Sequence, residues 1–193
     1  MDGLRLTMPR LILRPFAATD LAPFMAYRND PVVARYQSWE GMTEDQARAF
    51  IRAQQVARPG TPGQWLQIAL ERRDTGVLIG DCALKVDAQE PRQAELGYTL
   101  ARAHQGQGFA SEAVRCVLEY AFSTLGLHRI VAVVDCENAA SVALLERLGW
   151  RREGHFIQNI WFKGAWGDEY QYALLREEWL QRRHTEGQVC RTL

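Results

Sequence analysis

The chain has 193 residues, 47% of them hydrophobic and 24% charged, a size and balance that can bury a core without disulfides or metals and that exclude a disordered or fibrous protein. Its formal net charge is +0, from 23 basic and 23 acidic residues. Such neutrality argues against a broad basic face for nucleic acid or for an anionic membrane.

At the N-terminus, MDGLRLTMPR lacks the basic-then-apolar order of a secretory signal, and no apolar run along the chain reaches the length of a membrane span. A cytoplasmic location is therefore expected. Leu11 to Leu13, before Arg14-Pro15, reads as a first strand. Thr19-Asp20 offers N-caps for a helix through Leu21, Phe24, Met25 and Arg28, which Asn29-Asp30-Pro31 stops. A second helix is predicted from Thr43, because Thr43-Glu44-Asp45-Gln46 has the form of a capping box ahead of Ala47, Phe50 and Ile51. Pro59-Gly60-Thr61-Pro62-Gly63 closes it. Trp65 to Leu70 and Val77 to Val86, joined through Arg73-Asp74-Thr75-Gly76, read as a hairpin, and Ala94 to Leu100 as a further strand.

The strongest helical pattern runs from Gly108 to Leu125, with Ala110, Ala113, Val114, Val117, Leu118, Ala121 and Phe122 on one face and Gly126 as a C-cap. His128 to Val134 is a β-branched run that fits a strand buried on both faces. Asn138 caps a shorter helix with Val142, Leu145 and Leu148 inward, stopped at Gly149. Trp150 to Ile160 and Asp168 to Leu175 form a long aromatic hairpin turning near Lys163-Gly164. A last helix over Arg176 to Arg183 follows, then a loose tail, TEGQVCRTL. Cys82, Cys116, Cys136 and Cys190 show no CxxC spacing and read as free thiols, and His104, His128, His155 and His184 are too scattered for zinc. No metal is expected, and neither a GxSxG elbow nor a Walker loop is present.

The sharpest feature is Gln105-Gly106-Gln107-Gly108-Phe109-Ala110, between a strand and the start of the best helix. Unpaired N–H groups at a helix start lie at the positive end of the macrodipole, and glycines let a phosphate approach them, although a plain turn has the same composition. A dinucleotide fingerprint fits less well: Ser111 stands at the third glycine position, and the strand ends several residues before Gly106.

With its flanks, this loop resembles the acyl-CoA pyrophosphate loop of the GNAT superfamily of N-acetyltransferases, Gln/Arg-x-x-Gly-x-Gly/Ala. Glu95-Leu-Gly-Tyr98, Ser111-Glu112-Ala113, Asn138-x-x-Ser141, Leu148-Gly149-Trp150, the opening Arg10-Leu-Ile-Leu-Arg14-Pro and the late Lys163-Gly-Ala-Trp-Gly-Asp168-Glu-Tyr170 are similar to the RimJ/RimL branch, protein N-terminal acetyltransferases and their relatives. The resemblance covers nearly the whole chain. It implies an α+β, three-layer fold with a mixed, mostly antiparallel sheet of about seven strands, splayed between two central parallel strands, the Ala94 and His128 runs. It implies a single domain over 1–193, with acceptor-side helices at about 18–58, an acetyl-CoA core at about 94–150 and the hairpin at about 150–175.

By the same resemblance, acetyl-CoA is the cosubstrate. Main-chain groups around Tyr98 and Leu100 would pair with pantetheine, Gln105, Gly106, Gln107, Gly108, Phe109 and Ala110 would hold the pyrophosphate, and the Asn138 side chain, equally an ordinary N-cap, would reach the cofactor. Direct attack of an amine on the thioester needs a neutral amine, a stabilised oxyanion and a proton for the leaving sulfur. Glu95 is the candidate base, with an ion-pair role as its alternative. Leu145 stands where many GNAT enzymes carry an acidic tyrosine, so Ser141, one turn earlier on the same face, is the candidate to contact the thiol, or else a serine of the cap region. The acceptor is expected to be a protein N-terminal α-amino group. Its alternatives are a small amine or antibiotic such as a polyamine or aminoglycoside, and, from another class, a noncatalytic acyl-CoA-binding module. Trp161, Phe162 and Trp166 could wall a substrate groove, but packing in a core or a homodimer is the expectation.

Overall fold

The computed structural model describes residues 4–186 and 191–192. In chain order the elements are β1 (Leu6–Thr7), β2 (Leu11–Arg14), α1 (Leu21–Arg28), α2 (Pro31–Ala34), α3 (Glu44–Val56), β3 (Trp65–Arg72), β4 (Leu78–Val86), β5 (Gln93–Leu100), α4 (Phe109–Glu119), β6 (Arg129–Asp135), α5 (Ala139–Arg147), β7 (Arg151–Phe162), β8 (Ala165–Leu175), α6 (Arg176–Glu186) and β9 (Arg191–Thr192). Short 3₁₀ turns at Ala18–Asp20 and Arg102–His104 precede α1 and α4.

Local chemistry explains several boundaries. The Thr43 hydroxyl accepts from the Gln46 N–H while the Gln46 side chain accepts from the Thr43 N–H, so α3 begins where its capping box lies. Asp30 accepts from the Val32 N–H with Pro31 at the first helical position. The stop after α1 is thus also the start of α2. Asp20 does not cap α1 as expected: its carboxylate binds the Arg14 guanidinium and the Ala17 N–H, and a 3₁₀ turn leads into the helix. Past Glu119, the helix that begins with α4 widens into a π-helical turn over Tyr120–Thr124.

The strands form one sheet in the order β7-β8-β6-β5-β4-β3-β2-β1-β9. The expected set of about seven corresponds to β2 to β8. Beyond it, the short β1 pairs with β2 and with β9, through Leu6 with Thr192 and Thr7 with Arg191, so part of the tail expected to be loose is a strand. The remaining tail residues after Glu186 lie outside the described residues. Every neighbouring pair is antiparallel except β5 and β6.

One face of the sheet carries α4 and α5. Leu84, Leu96, Leu100, Ile130, Ala132, Val134, Leu144 and Leu145 belong to its core with Val114, Val117 and Leu118. The other face, over β3 and β4, carries α1 and α3, whose Phe24, Tyr27, Ala47 and Ile51 pack with Ala69 and Leu78. β6 is not buried on both faces as its composition suggested. Val133 is exposed: the cluster formed by α1 and α3 packs on Ala69 and Leu78 of β3 and β4, and the long hairpin β7–β8 meets the helical side at its tip, where the Lys163 ammonium donates to the Ala34 and Trp39 carbonyls.

Candidate active site

The site begins where the sheet opens. β5 and β6 are paired only from Gln93 with Arg129 through Glu95 with Val131. Beyond that point β5 stays on β4 as far as Leu100 with Gly80, and β6 stays on β8 as far as Asp135 with Glu169. The two central strands therefore diverge, as the splayed arrangement requires. The Ala101 N–H donates to the Ile79 carbonyl, which fixes the alternation: odd-numbered residues of β5 bond to β4, and the main-chain groups of Leu96, Tyr98 and Leu100 face the gap.

At the open end of β5 lies the glycine loop. Gly106 and Gly108 have φ of +71° and +81°, and Gly108 is the residue that starts α4. Both conformations are left-handed, where a Cβ is strained. Without a side-chain cap on α4, its first N–H groups are available to an anion. The Gln105 amide donates to the Leu100 carbonyl at 3.0 Å, and the Gln107 amide to the Ala103 carbonyl at 2.8 Å. Phe109 turns its ring inward, beneath the Arg10 and Arg72 guanidiniums at 4.5 and 5.5 Å from its centroid, while Ala110 is half-buried at the start of the helix. Arg10 clamps the loop from outside, bonding Glu112 through its main-chain and side-chain nitrogens and the Gln107 carbonyl through its guanidinium. Burial and Arg72 hold His104, next to the loop, below the usual histidine range.

Across the gap, α5 starts at Asn138, whose side-chain oxygen accepts from the Ser141 N–H at 3.2 Å. The cap reading is correct for that oxygen, and the amide nitrogen is left for another partner. Ser141 Oγ lies 2.5 Å from the Tyr98 hydroxyl. The sequence supplied only the Tyr98 main chain as a candidate; its side chain joins the site because strand alternation turns it toward the face that carries α5. Burial pushes the Tyr98 phenol up to about 12. Leu145 is 1% exposed within the core, so that helix position offers no proton donor.

Glu95 lies at the last paired position of β5, on the face opposite Tyr98 and Ser141. Its carboxylate is 3.9 Å from the Lys85 ammonium, which itself sits 5.1 Å from the Trp65 ring, and 39% of its side chain is exposed. Glu95 and Ser141 are thus brought to one opening from opposite faces of the sheet. On the Glu95 side the opening is bounded by α2 and the chain after it, where Arg35 and Tyr36 bond Glu137, and by the hairpin. Trp161 and Trp166 are exposed there, edge-on to each other at 5.5 Å, and do not pack into the core of this chain. Cys82 and Cys116 are buried and Cys136 is half-buried; Cys190 lies outside the described residues. Among the described residues no carboxylate, histidine and cysteine group is arranged to hold a metal, and no helix is long and apolar enough to cross a membrane.

A sheet opened between two parallel strands, with a glycine loop and a helix N-terminus at its mouth, defines an acyl-CoA-type transferase site. Residues 10–151 match the family model described as acetyltransferase (GNAT) domain. The chain belongs to the GNAT acetyltransferases. It is 36% identical over 171 residues to p20 of Bacillus licheniformis, an uncharacterised N-acetyltransferase, covering 88% of this chain and 95% of that protein. YdaF of Bacillus subtilis, provisionally named a ribosomal N-acetyltransferase, is 35% identical over 104 residues, 54% of this chain and 57% of that one. Among solved structures, a GNAT-family acetyltransferase from Bacillus anthracis superposes with a TM-score of 0.80 at 30% identity, over 91% of this chain and all of that one. Spermidine N-acetyltransferase from Vibrio cholerae, in complex with CoA and spermine, superposes with a TM-score of 0.77 at 25% identity, over 90% and 99% of the two chains.

Proposed function

We propose that this enzyme transfers the acetyl group of acetyl-CoA to the α-amino group of a protein N-terminus in the cytoplasm, as RimJ/RimL-type enzymes do. The thioester supplies an acyl carbon that a neutral amine attacks directly. The N–H groups from Gln105 to Ala110 hold the pyrophosphate, and Gly106 and Gly108 keep the approach to them open. Main-chain groups of Tyr98 and Leu100 line the pantetheine arm as a missing strand would. The Leu100 carbonyl already accepts from Gln105, so its N–H is the group left to pair. Asn138 offers its amide nitrogen. Ser141 donates to the departing sulfur, and Glu95 receives the proton shed by the amine, directly or through water.

The observation that carries this acceptor choice is the setting of Glu95, half-exposed and beside the Lys85 ammonium. Carboxylates as a class are far weaker bases than amines. Such a base suits an α-amino group, about 7.7–8.0 and already partly neutral at physiological pH, better than an amine near 10.4 that must first be stripped of its proton. A small cationic amine is the second reading. Asp135 and Glu169 face one another across β6 and β8, and neither is joined to a basic side chain among the described residues. Like charges so placed cost stability unless a cation visits them, and the CoA-bound Vibrio cholerae relative acts on spermidine.

A panel of short peptides with free N-termini, spermidine and an aminoglycoside, assayed by thiol release, separates the readings. Turnover of peptides is expected. Turnover of spermidine or the aminoglycoside with no peptide acetylated overturns the choice.

A further inference from the structure

Transfer forms a C–N bond and breaks the C–S bond, whose electron pair leaves on the CoA sulfur; the nitrogen sheds one proton to Glu95, which passes it to solvent, and the sulfur takes one up from solvent. A donor beside the sulfur lowers the barrier to its departure. Ser141 is that donor in the function proposed above, on which this inference rests, but a serine hydroxyl rotates freely and can turn its hydrogen away. We propose that Tyr98 is the positioning residue for Ser141: its hydroxyl donates to Ser141 Oγ and so directs the serine O–H into the gap between β5 and β6, where the sulfur leaves.

The two hydroxyls come from opposite lips of the opening, Tyr98 from the unpaired half of β5 and Ser141 from the first turn of the helix that follows β6. They are 2.5 Å apart, and the Tyr98 oxygen is also 3.5 Å from the Ser141 carbonyl. Either oxygen can donate at this distance; a phenol is much the more acidic of the two hydroxyls and so the better donor, which assigns the short contact to the tyrosine O–H and the serine oxygen. Burial keeps that hydrogen in place, because a phenol pushed up to about 12 stays protonated throughout the working range. It also keeps Tyr98 from being the proton source itself: an ordinary thiol near 8.5 is much the stronger acid. The inference also accounts for Leu145 in the core, since a serine held by a tyrosine one turn earlier takes over the donor's position.

CoA itself is the probe, which makes the test independent of the acceptor. The thiol of CoA bound to the intact enzyme is titrated by its ultraviolet thiolate absorbance in the wild type, Tyr98→Phe, Ser141→Ala and the double variant, with melting curves to show that each is folded. A directed serine O–H stabilises the thiolate, so the bound thiol is expected to titrate about one unit higher in either single variant. The double variant is expected to match Ser141→Ala. CoA affinity is expected to change less than about twofold in Tyr98→Phe, because the main-chain contacts remain. No shift in Tyr98→Phe, or a further shift when it is added to Ser141→Ala, overturns the positioning role while leaving acetyl transfer intact. Failure of the wild type to bind CoA overturns the proposed function and this inference together.

Discussion

Replacing Asp81 with asparagine removes one charge from a site that water does not reach. Asp81 is 2% exposed and accepts from the Tyr27 hydroxyl and the Arg28 guanidinium, each at 2.7 Å. Arg28 is itself 5% exposed, with the rings of Trp39 and Phe24 at 4.4 and 5.0 Å and its Nε without a partner. The rings remain in the variant and add nothing new, so the guanidinium is left buried and uncompensated. Breaking one half of a buried pair costs about 3–5 kcal/mol, and asparagine, which still accepts from Tyr27, belongs at the lower end. A loss of about 3 kcal/mol lowers the melting temperature of a chain this long by roughly 6–12 °C. Urea and thermal unfolding of Asp81→Asn, Arg28→Met and the pair test the reasoning. The double variant is expected to recover at least half of the single loss, because it leaves no uncompensated charge buried at this site. A single loss under about 1 kcal/mol, or strictly additive losses, would show that the charge pairing is not what holds α1 to β4.

Gly108→Ala places a Cβ at φ +81° and 3.3 Å from the Arg10 guanidinium; a loss of about 1–2 kcal/mol in stability and a roughly tenfold higher KM for acetyl-CoA are expected. An unchanged KM would mean that the helix start does not hold the pyrophosphate. Glu95→Gln is expected to lower kcat about 10- to 100-fold with little change in acetyl-CoA affinity. In the wild type, kcat/KM for a peptide acceptor is expected to climb with pH and level off above about 8, tracking the α-amino group; a climb that continues toward pH 10 points to a more basic amine. Arg129 and Arg151 hold the Glu153 carboxylate at about 2, below its ordinary 4.5. Its ion pairs therefore stabilise the fold above about pH 4.5 and are lost as pH falls toward 2. The pairs are solvent-screened, so Glu153→Gln is expected to cost no more than about 1 kcal/mol at pH 7, with the difference from wild type vanishing in acid unfolding curves near pH 2.

Most elements were legible in the linear chain because their signals are local. The Thr43–Gln46 capping box, the αL glycines before α4 and the helical stripe from Ala110 to Phe122 each depend on residues within a few positions of one another, and each appears where those residues stand. The errors arose where distant residues decide. Asp20 was expected to cap a helix but is taken by Arg14 and the Ala17 N–H. The apolar composition of β6 suggested two buried faces, but whether Val133 meets a helix depends on where α1 and α3 pack, which no pattern within the strand encodes. Arg10 and Glu112 are 102 positions apart, so the clamp on the glycine loop has no short-range signature. The same holds for Tyr98 and Ser141, 43 positions apart.

From its sequence alone the chain is a neutral protein with a glycine loop opening its best helix, in a motif order that resembles the GNAT enzymes. Backbone propensity, caps and periodicity are properties of neighbouring residues, so that much is written along the chain. Only the tertiary structure decided where β5 and β6 part, and with that which main-chain groups are left to face a ligand. It also set Glu95 and the Tyr98–Ser141 pair on opposite faces of one opening. Strand pairing and side-chain meetings across the sheet bring together residues far apart in sequence, and their geometry exists only once the core beneath α4 and α5 has closed.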